Sequence, residues 1–368
     1  MKFVFLLSGL KAAGLENYLL RFLSFCHGLN KDYQFTIICR GSSTDFSGTL
    51  HEKFLNLGVE LVHVPMKHSS LIGYFSLYKI FKDSQYHGVI DFSGYLAGPT
   101  MFVAWIANIK VRIASYRESR YQFKMNVIKR FFVMLSKRFV IAFSTRILSN
   151  SKAAFDFFHE GYAVSSKFKV IKNAINKPTE VDFSQRNEFL AKYHIPEDVF
   201  VVGHVGRFIP AKNHNNICEV IKAINQIDPS IYFLLCGNDV CRGMNTLSNS
   251  LTNVAYIDYL SDMSVFYNCL DLFYFPSTNE GQPNALLEAM SANVPIVASN
   301  ISSVVDSVPS EAYPFLVDPY NYDYSVNKIL KLRESLSLYP IDIISKQTRD
   351  IYSSEKNFYL FLNEICGD

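Results

Sequence analysis

Short, uninterrupted apolar runs alternate with segments of helical period twice along this chain, and few folds admit that pattern. The first run, residues 3–7, is of the kind shown by a parallel strand buried on both faces. Further runs at 35–39, 59–64, 89–92, 111–114, 145–149 and 168–171 are separated by helical segments near 15–26, 48–57, 71–82, 97–107 and 120–140. Strands alternating with helices imply right-handed crossovers and a mostly parallel sheet. A second alternation starts at 199–205 and continues through a helix at 215–227 and strands at 231–236, 254–257, 272–275 and 294–298. The 368 residues exceed the ~250–300 at which one core stops growing, so two α/β domains, each doubly wound and Rossmann-like, are expected. The polar, proline-containing stretch 173–187 reads as the linker, which sets the domains at 1–172 and 173–351. A last helix is expected near 354–365.

Composition excludes several classes. A hydrophobic content of 49% with 19% charged residues is globular, and a net charge of +3 calls for no nucleic-acid partner. The seven cysteines form no C-x-x-C pair and no zinc-spaced cluster, which points to free thiols in a reducing cytosol. No stretch reaches the ~18 apolar residues of a membrane span, and the apolar start, broken by Lys11, reads as a first strand rather than a signal peptide.

Three loops that follow strands carry candidate chemistry. The first runs to Gly14 at a helix start, the general phosphate-cradling arrangement. The second, Gly206-Arg207-Phe208-Ile209-Pro210-Ala211-Lys212-Asn213, sets two cations at a strand's carboxyl end, a combination suited to a diphosphate. The third is Glu280-Gly281-Gln282-Pro283-Asn284-Ala285-Leu286-Leu287-Glu288. Pro283 is expected at the first helical position, which leaves Asn284, Ala285 and Leu286 to offer free N–H groups to an anion. Glu288 lies in an apolar run, where a carboxylate needs a polar partner such as a ligand hydroxyl. No G-x-G-x-x-G or Walker A pattern follows any strand, and no Asp-x-Asp is present to hold a divalent metal.

These motifs resemble family 4 of the retaining glycosyltransferases, which have the GT-B fold. The resemblance rests on Gly206-Arg207 with Lys212-Asn213, on Glu280 to Met290, and on Pro295-Ile296-Val297-Ala298. It extends more loosely to Ala13-Gly14-Leu15-Glu16 and to Lys169–Asn176. It implies two Rossmann-like domains facing a central cleft, the first binding acceptor and the second donor, with the C-terminal helix at about 352–368 packing back onto the first. By position, Glu280 would contact the donor sugar and Glu288 the ribose hydroxyls, while the backbone from Gly281 through Gln282, Pro283 and Asn284 to Ala285 would meet sugar and phosphates. Arg207 and Lys212 would hold the diphosphate beside Gly206, with Gly14 approaching it. The implied reaction moves a sugar from a nucleotide diphosphate with retention, without cofactor or metal, and the leaving phosphate helps to deprotonate the acceptor. UDP is the nucleotide expected by family frequency, and GDP is the alternative.

The sequence departs from the family pattern at several positions, of which only the stretch 115–118 bears on the acceptor side. Ala13 replaces a glycine, Asn293 stands where glycine is usual, and Asp306 stands near a usual Glu. Ser115-Tyr116-Arg117-Glu118 occupies the place where relatives often carry His, so no acceptor-side His can be named. Between Lys110 and Arg146 the chain has ten Lys or Arg and one acid, Glu118. Within that span, residues 120–138 mix cations with Phe123, Val127, Phe131, Phe132 and Leu135 at helical spacing, a basic amphipathic helix that reads as membrane-surface binding or as a core-facing helix with a solvated basic face. The expectation is therefore a cytoplasmic, peripheral transferase at the inner face of the cell membrane, acting on a saccharide or lipid-linked acceptor in O-antigen, capsule or exopolysaccharide synthesis. A non-catalytic nucleotide-sugar-binding or scaffolding homologue and a sugar-nucleotide epimerase of the same fold are the alternatives.

Overall fold

The computed structural model describes residues 1–368 except 12, 13, 30, 119, 122–124, 160, 177, 261 and 368, and at 164 the backbone alone. Ala13, Phe123 and Lys124 therefore lie outside the described residues. The chain divides into two compact units, Met1–Ala174 with Ser354–Asp368, and Ile175–Ser353.

The first unit is built on seven parallel strands: β1 Lys2–Leu7, β2 Gln34–Cys39, β3 Glu60–His63, β4 Gly88–Asp91, β5 Val111–Tyr116, β6 Arg146–Ser149 and β7 Phe168–Val170. Their order is β3-β2-β1-β4-β5-β6-β7. Every residue of β1 after Lys2 is buried, as a central strand covered on both faces requires. The helix Ser354–Cys366 belongs to this unit. Phe358 and Phe361 pack against Tyr18 and Phe22, with the Phe22 and Phe361 rings 4.8 Å apart, and Glu364 accepts from Arg146 at 3.1 Å and Lys169 at 2.5 Å.

The second unit repeats the design with six parallel strands: β8 Phe200–Val205, β9 Ile231–Cys236, β10 Val254–Ile257, β11 Leu272–Phe275, β12 Ile296–Ser299 and β13 Leu316–Val317, in the order β10-β9-β8-β11-β12-β13. In both sheets the strand order reverses beside the first strand, between β1 and β4 and between β8 and β11. Open parallel sheets bind ligands past the carboxyl ends of their strands at that reversal.

Several expectations need correcting. The stretch 173–187 is not all linker, because helix Phe183–Lys192 begins inside it. Asp182 and Gln185 form a reciprocal capping box at its start, and since the helix buries little beyond Leu190 its sequence reads as polar coil. The segment near 48–57 is a short helix, His51–Asn56, preceded by a separate turn of helix at Ser43–Phe46. The basic helix expected over 120–140 runs from Val127 to Phe143, capped by Asn126, whose side chain accepts from the Lys129 N–H. Helix Lys152–Phe158 was not foreseen; its Ala154, Phe155 and Phe158 face the core.

Candidate functional site

The reversal in the second sheet brings the two most charged loops together. The loop from Gly206 to Asn213 follows β8, and the loop from Pro276 to Pro283 follows its neighbour β11. Lys212 donates to a carboxylate oxygen of Glu280 at 2.6 Å, and the Thr278 N–H donates to the Ala211 carbonyl at 2.8 Å. Lys212 also lies 5.0 Å from the centre of the Phe275 ring, so its ammonium is held between a carboxylate and an aromatic face. Asn213, at φ +57°, clamps the first loop by donating to the carbonyls of Pro276 at 3.1 Å and Pro319 at 2.7 Å. Asparagine tolerates that left-handed backbone.

Two glycines allow the close approach. A Cβ on Gly206 would lie 3.0 Å from the Lys212 stem and 3.0 Å from His204 Nε2, and a Cβ on Gly237 would meet the Gly206 carbonyl oxygen at 2.2 Å. Gly206 and Phe208 each donate a backbone N–H across to the end of β9 and the segment after it, at 2.9 Å to the Cys236 carbonyl and 3.1 Å to that of Asn238. Beneath Lys212 lie two buried imidazoles, His204 and His214, with ring centres 5.3 Å apart. His204 Nδ1 bonds the Tyr274 carbonyl at 3.0 Å. Burial pushes the His204 pKa well below its usual value, and burial with the charge of Lys212 lowers that of His214 to about 4. Both rings are therefore neutral at physiological pH and add no repulsion under the lysine.

The helix that follows the carboxylate loop is Asn284–Ser291. Pro283 is its N-cap rather than its first residue: ψ of 78° is not helical, yet the Pro283 carbonyl accepts the Leu287 N–H at 3.1 Å. Gln282 and Pro283 are buried, Gly281, Asn284 and Ala285 are half-buried, and the Ser277 Oγ and Asn279 Oδ1 are shielded from solvent with no hydrogen-bond partner among the described residues. Glu288 is half-buried, and the polar partner that its setting demanded includes the hydroxyl of Tyr267, which donates to it at 3.0 Å. Tyr267 gave no signal in the sequence, because it comes from the short helix Ser264–Asn268 and meets Glu288 only through the fold. Arg207 is exposed and pairs with no group among the described residues. Past β9 and β10, at the same sheet edge, a cavity of about 560 Å³ is lined by Asn238, Asp239, Cys241, Arg242, Asn245 and Asp258. Gly14 opens helix Gly14–Gly28 in the first unit, where it is exposed.

The helix Val127–Phe143 buries only Val133, Ser136 and Val140. Val127, Ile128 and Phe131 are 84%, 80% and 63% exposed, and Met134, Leu135 and Ile141 are exposed as well, so its apolar residues do not all face a core. Among the described residues no helix is long and apolar enough to cross a membrane.

Two parallel sheets of Rossmann order, the second carrying a cation loop and a carboxylate loop at its reversal, define the GT-B class of glycosyltransferase fold. The solved structure of Anabaena Alr3699/HepE in complex with UDP and glucose superposes with a TM-score of 0.81 over 100% of both chains, at 17% identity. Residues 185–339, within the second unit, match the model of the family Glycosyl transferases group 1. Among curated relatives, the capsular polysaccharide biosynthesis glycosyltransferase CapM of Staphylococcus aureus is 25% identical over 64% of this chain and 64% of its own length. The UDP-Gal:alpha-D-GlcNAc-diphosphoundecaprenol alpha-1,3-galactosyltransferase of Escherichia coli is 25% identical over 94% of this chain and 89% of its own.

Proposed function

We propose that this chain is a retaining glycosyltransferase that moves a sugar from a UDP-sugar to a saccharide or lipid-linked saccharide acceptor in surface-polysaccharide synthesis, with no metal ion. The observation that carries the reading is the Lys212–Glu280 pair, which joins the loops after β8 and β11 at the sheet reversal, beside the start of helix Asn284–Ser291. The activities named for the Escherichia coli and Staphylococcus aureus relatives support the substrate classes.

In this reading the diphosphate lies against Arg207, Lys212 and the first N–H groups of that helix, and the sugar hydroxyls donate to Glu280. Ribose hydroxyls meet Glu288, whose position Tyr267 fixes, and the base enters the cavity past β9 and β10. The bond from the anomeric carbon to the leaving phosphate oxygen breaks as the acceptor oxygen attacks the same face. The acceptor's proton passes to that phosphate oxygen, and the cations hold the charge that develops on the diphosphate. Lysine and arginine so placed supply the neutralisation that a divalent ion gives elsewhere.

The exposed apolar and basic residues of helix Val127–Phe143 support a peripheral seat on an anionic membrane at the cytoplasmic face, which would bring a lipid-linked acceptor within reach. Glu280→Gln is expected to lower transfer by about a hundredfold or more while unliganded thermal stability stays near wild type. Unchanged turnover in that variant would overturn the assignment. Nucleotide-sugar binding by purified wild-type protein with neither transfer nor donor hydrolysis would establish the non-catalytic reading instead.

A further inference from the structure

Helix Val127–Phe143 lines a cavity of about 610 Å³ in the first unit. Arg130, Val133, Met134, Lys137, Arg138 and Ile141 recur at three- and four-residue spacing, so they share one face of the helix, and all of them line the cavity. The rest of the lining is largely aromatic, with Tyr121, Phe158, Tyr162 and Phe168. Packing fixes that wall. The Phe158 ring centre lies 5.3 Å from that of Tyr121, the Phe168 ring lies 5.0 Å from His159 and 5.9 Å from Tyr162, and His159 Nε2 bonds the Tyr116 hydroxyl at 2.7 Å. Mostly apolar walls with a few placed charges, around a volume of this size, are the build of a small-ligand pocket.

The charges of the cavity are all of one sign. Arg130, Lys137 and Arg138 make no side-chain hydrogen bond and no ion pair among the described residues. Between Lys110 and Lys172 the acids are Glu118, Asp156 and Glu160. Glu118 is half-buried just past β5 and Asp156 is exposed on helix Lys152–Phe158, and neither lines the cavity; Glu160 lies outside the described residues. Lys137 is half-buried, and burial lowers its pKa. Burial and the charge of Lys137 lower the His159 pKa to about 4, so that ring is neutral at physiological pH. An ammonium desolvated against apolar walls suits an anion that carries its own apolar group. The exposed apolar residues Val127, Phe131 and Leu135 form the neighbouring stripe of the helix, bordering the cavity face at Met134 and Arg138, each three residues further on.

We propose that this cavity takes one molecule of an anionic phospholipid, with its phosphate against Lys137, Arg130 and Arg138 and an acyl chain along the aromatic wall. Charge complementarity selects an anion, the apolar lining selects one with a hydrocarbon chain, and the adjoining exposed stripe gives such a chain a continuous apolar path from a bilayer. The bilayer as the source of the lipid rests on the peripheral seat proposed above, whereas the fit of the lipid to the cavity does not.

The probe is dihexanoyl phosphatidylglycerol, kept monomeric below its micelle concentration and titrated calorimetrically into the full chain. Wild type is expected to bind one molecule per chain, about tenfold or more tightly than it binds the zwitterionic dihexanoyl phosphatidylcholine or glycerol phosphate. Lys137→Gln should weaken binding about tenfold, Lys137→Arg should keep most of it, and Met134→Trp, which fills the cavity, should abolish it. No saturable binding by wild type, equal affinity in Lys137→Gln, or equal affinity for the choline lipid would overturn the proposal. Tighter binding of geranyl phosphate than of the glycerol lipid would overturn it as well, by giving the cavity to a prenyl-linked substrate. If the variants fail to fold, the comparison of the two lipids on wild type decides. Binding of the monomer without binding to anionic vesicles would remove the membrane seat and leave the cavity assignment standing, and vesicle binding without monomer binding would do the reverse.

Discussion

Lys212 and Glu280 stand 68 positions apart in the sequence and 2.6 Å apart in space, and their neighbours Ala211, Asn213, Pro276 and Thr278 tie the two loops together. Parallel strands with one sense of crossover bring the loops after β8 and β11 side by side, and a short polar loop on each suffices. The floor beneath them matters as much. His204 and His214 remain neutral where an ionised residue would repel the lysine, and the cost appears on acidification. A histidine whose pKa falls on folding leaves the unfolded chain binding more protons, so stability is complete above its unfolded value near 6.5 and declines as pH falls towards the folded value of about 4 for His214. That histidine alone accounts for about 3 kcal/mol of loss across the window. Thermal unfolding followed between pH 7 and pH 4.5 should show the decline, and His214→Gln should flatten it; an equal slope in the variant would show that other groups dominate.

At the scale of elements, helix Asn284–Ser291 and helix Val127–Phe143 show where sequence reading succeeds and where it stops. The start of the first was legible to within one residue because proline, a glycine-containing loop and a flanking apolar run all mark it; that Pro283 caps rather than begins the helix depends on a ψ of 78° that no residue type dictates. The second was legible as basic and amphipathic, but the direction of its apolar residues was not, since periodicity gives a stripe and only packing says what covers it. Helix Phe183–Lys192 was missed because its buried face is little more than Leu190, although the Asp182–Gln185 box was there to be read. Tyr267 and Gly237 were illegible as site residues for a simpler reason, since each matters only through a residue distant in sequence, Glu288 and Gly206 respectively. The exposed apolar face of helix Val127–Phe143 leads to a direct expectation. Phe131→Glu combined with Ile128→Glu should lower co-sedimentation with vesicles containing anionic lipid about tenfold or more, by removing apolar burial and adding negative charge. Binding that is unchanged, or indifferent to anionic lipid, would leave that face without a membrane role.

For the whole molecule, each unit repeats one plan, a parallel sheet that reverses beside its first strand, and the second places its candidate chemistry at that reversal. This much was legible from alternating apolar runs, because a buried parallel sheet leaves few connections open. The pairing itself was legible only from side chains: Lys212 meets Glu280 beside the start of helix Asn284–Ser291 in the second unit. The central claim is that the second unit binds a nucleoside diphosphate through Lys212, and thermal denaturation with UDP tests it most directly. UDP at 100 times its dissociation constant should stabilise wild type by about 2.7 kcal/mol, while Lys212→Ala, with an unliganded midpoint near wild type, should show little or no shift at the same concentration. An equal shift in both proteins, or none in wild type with either UDP or GDP, would contradict the account.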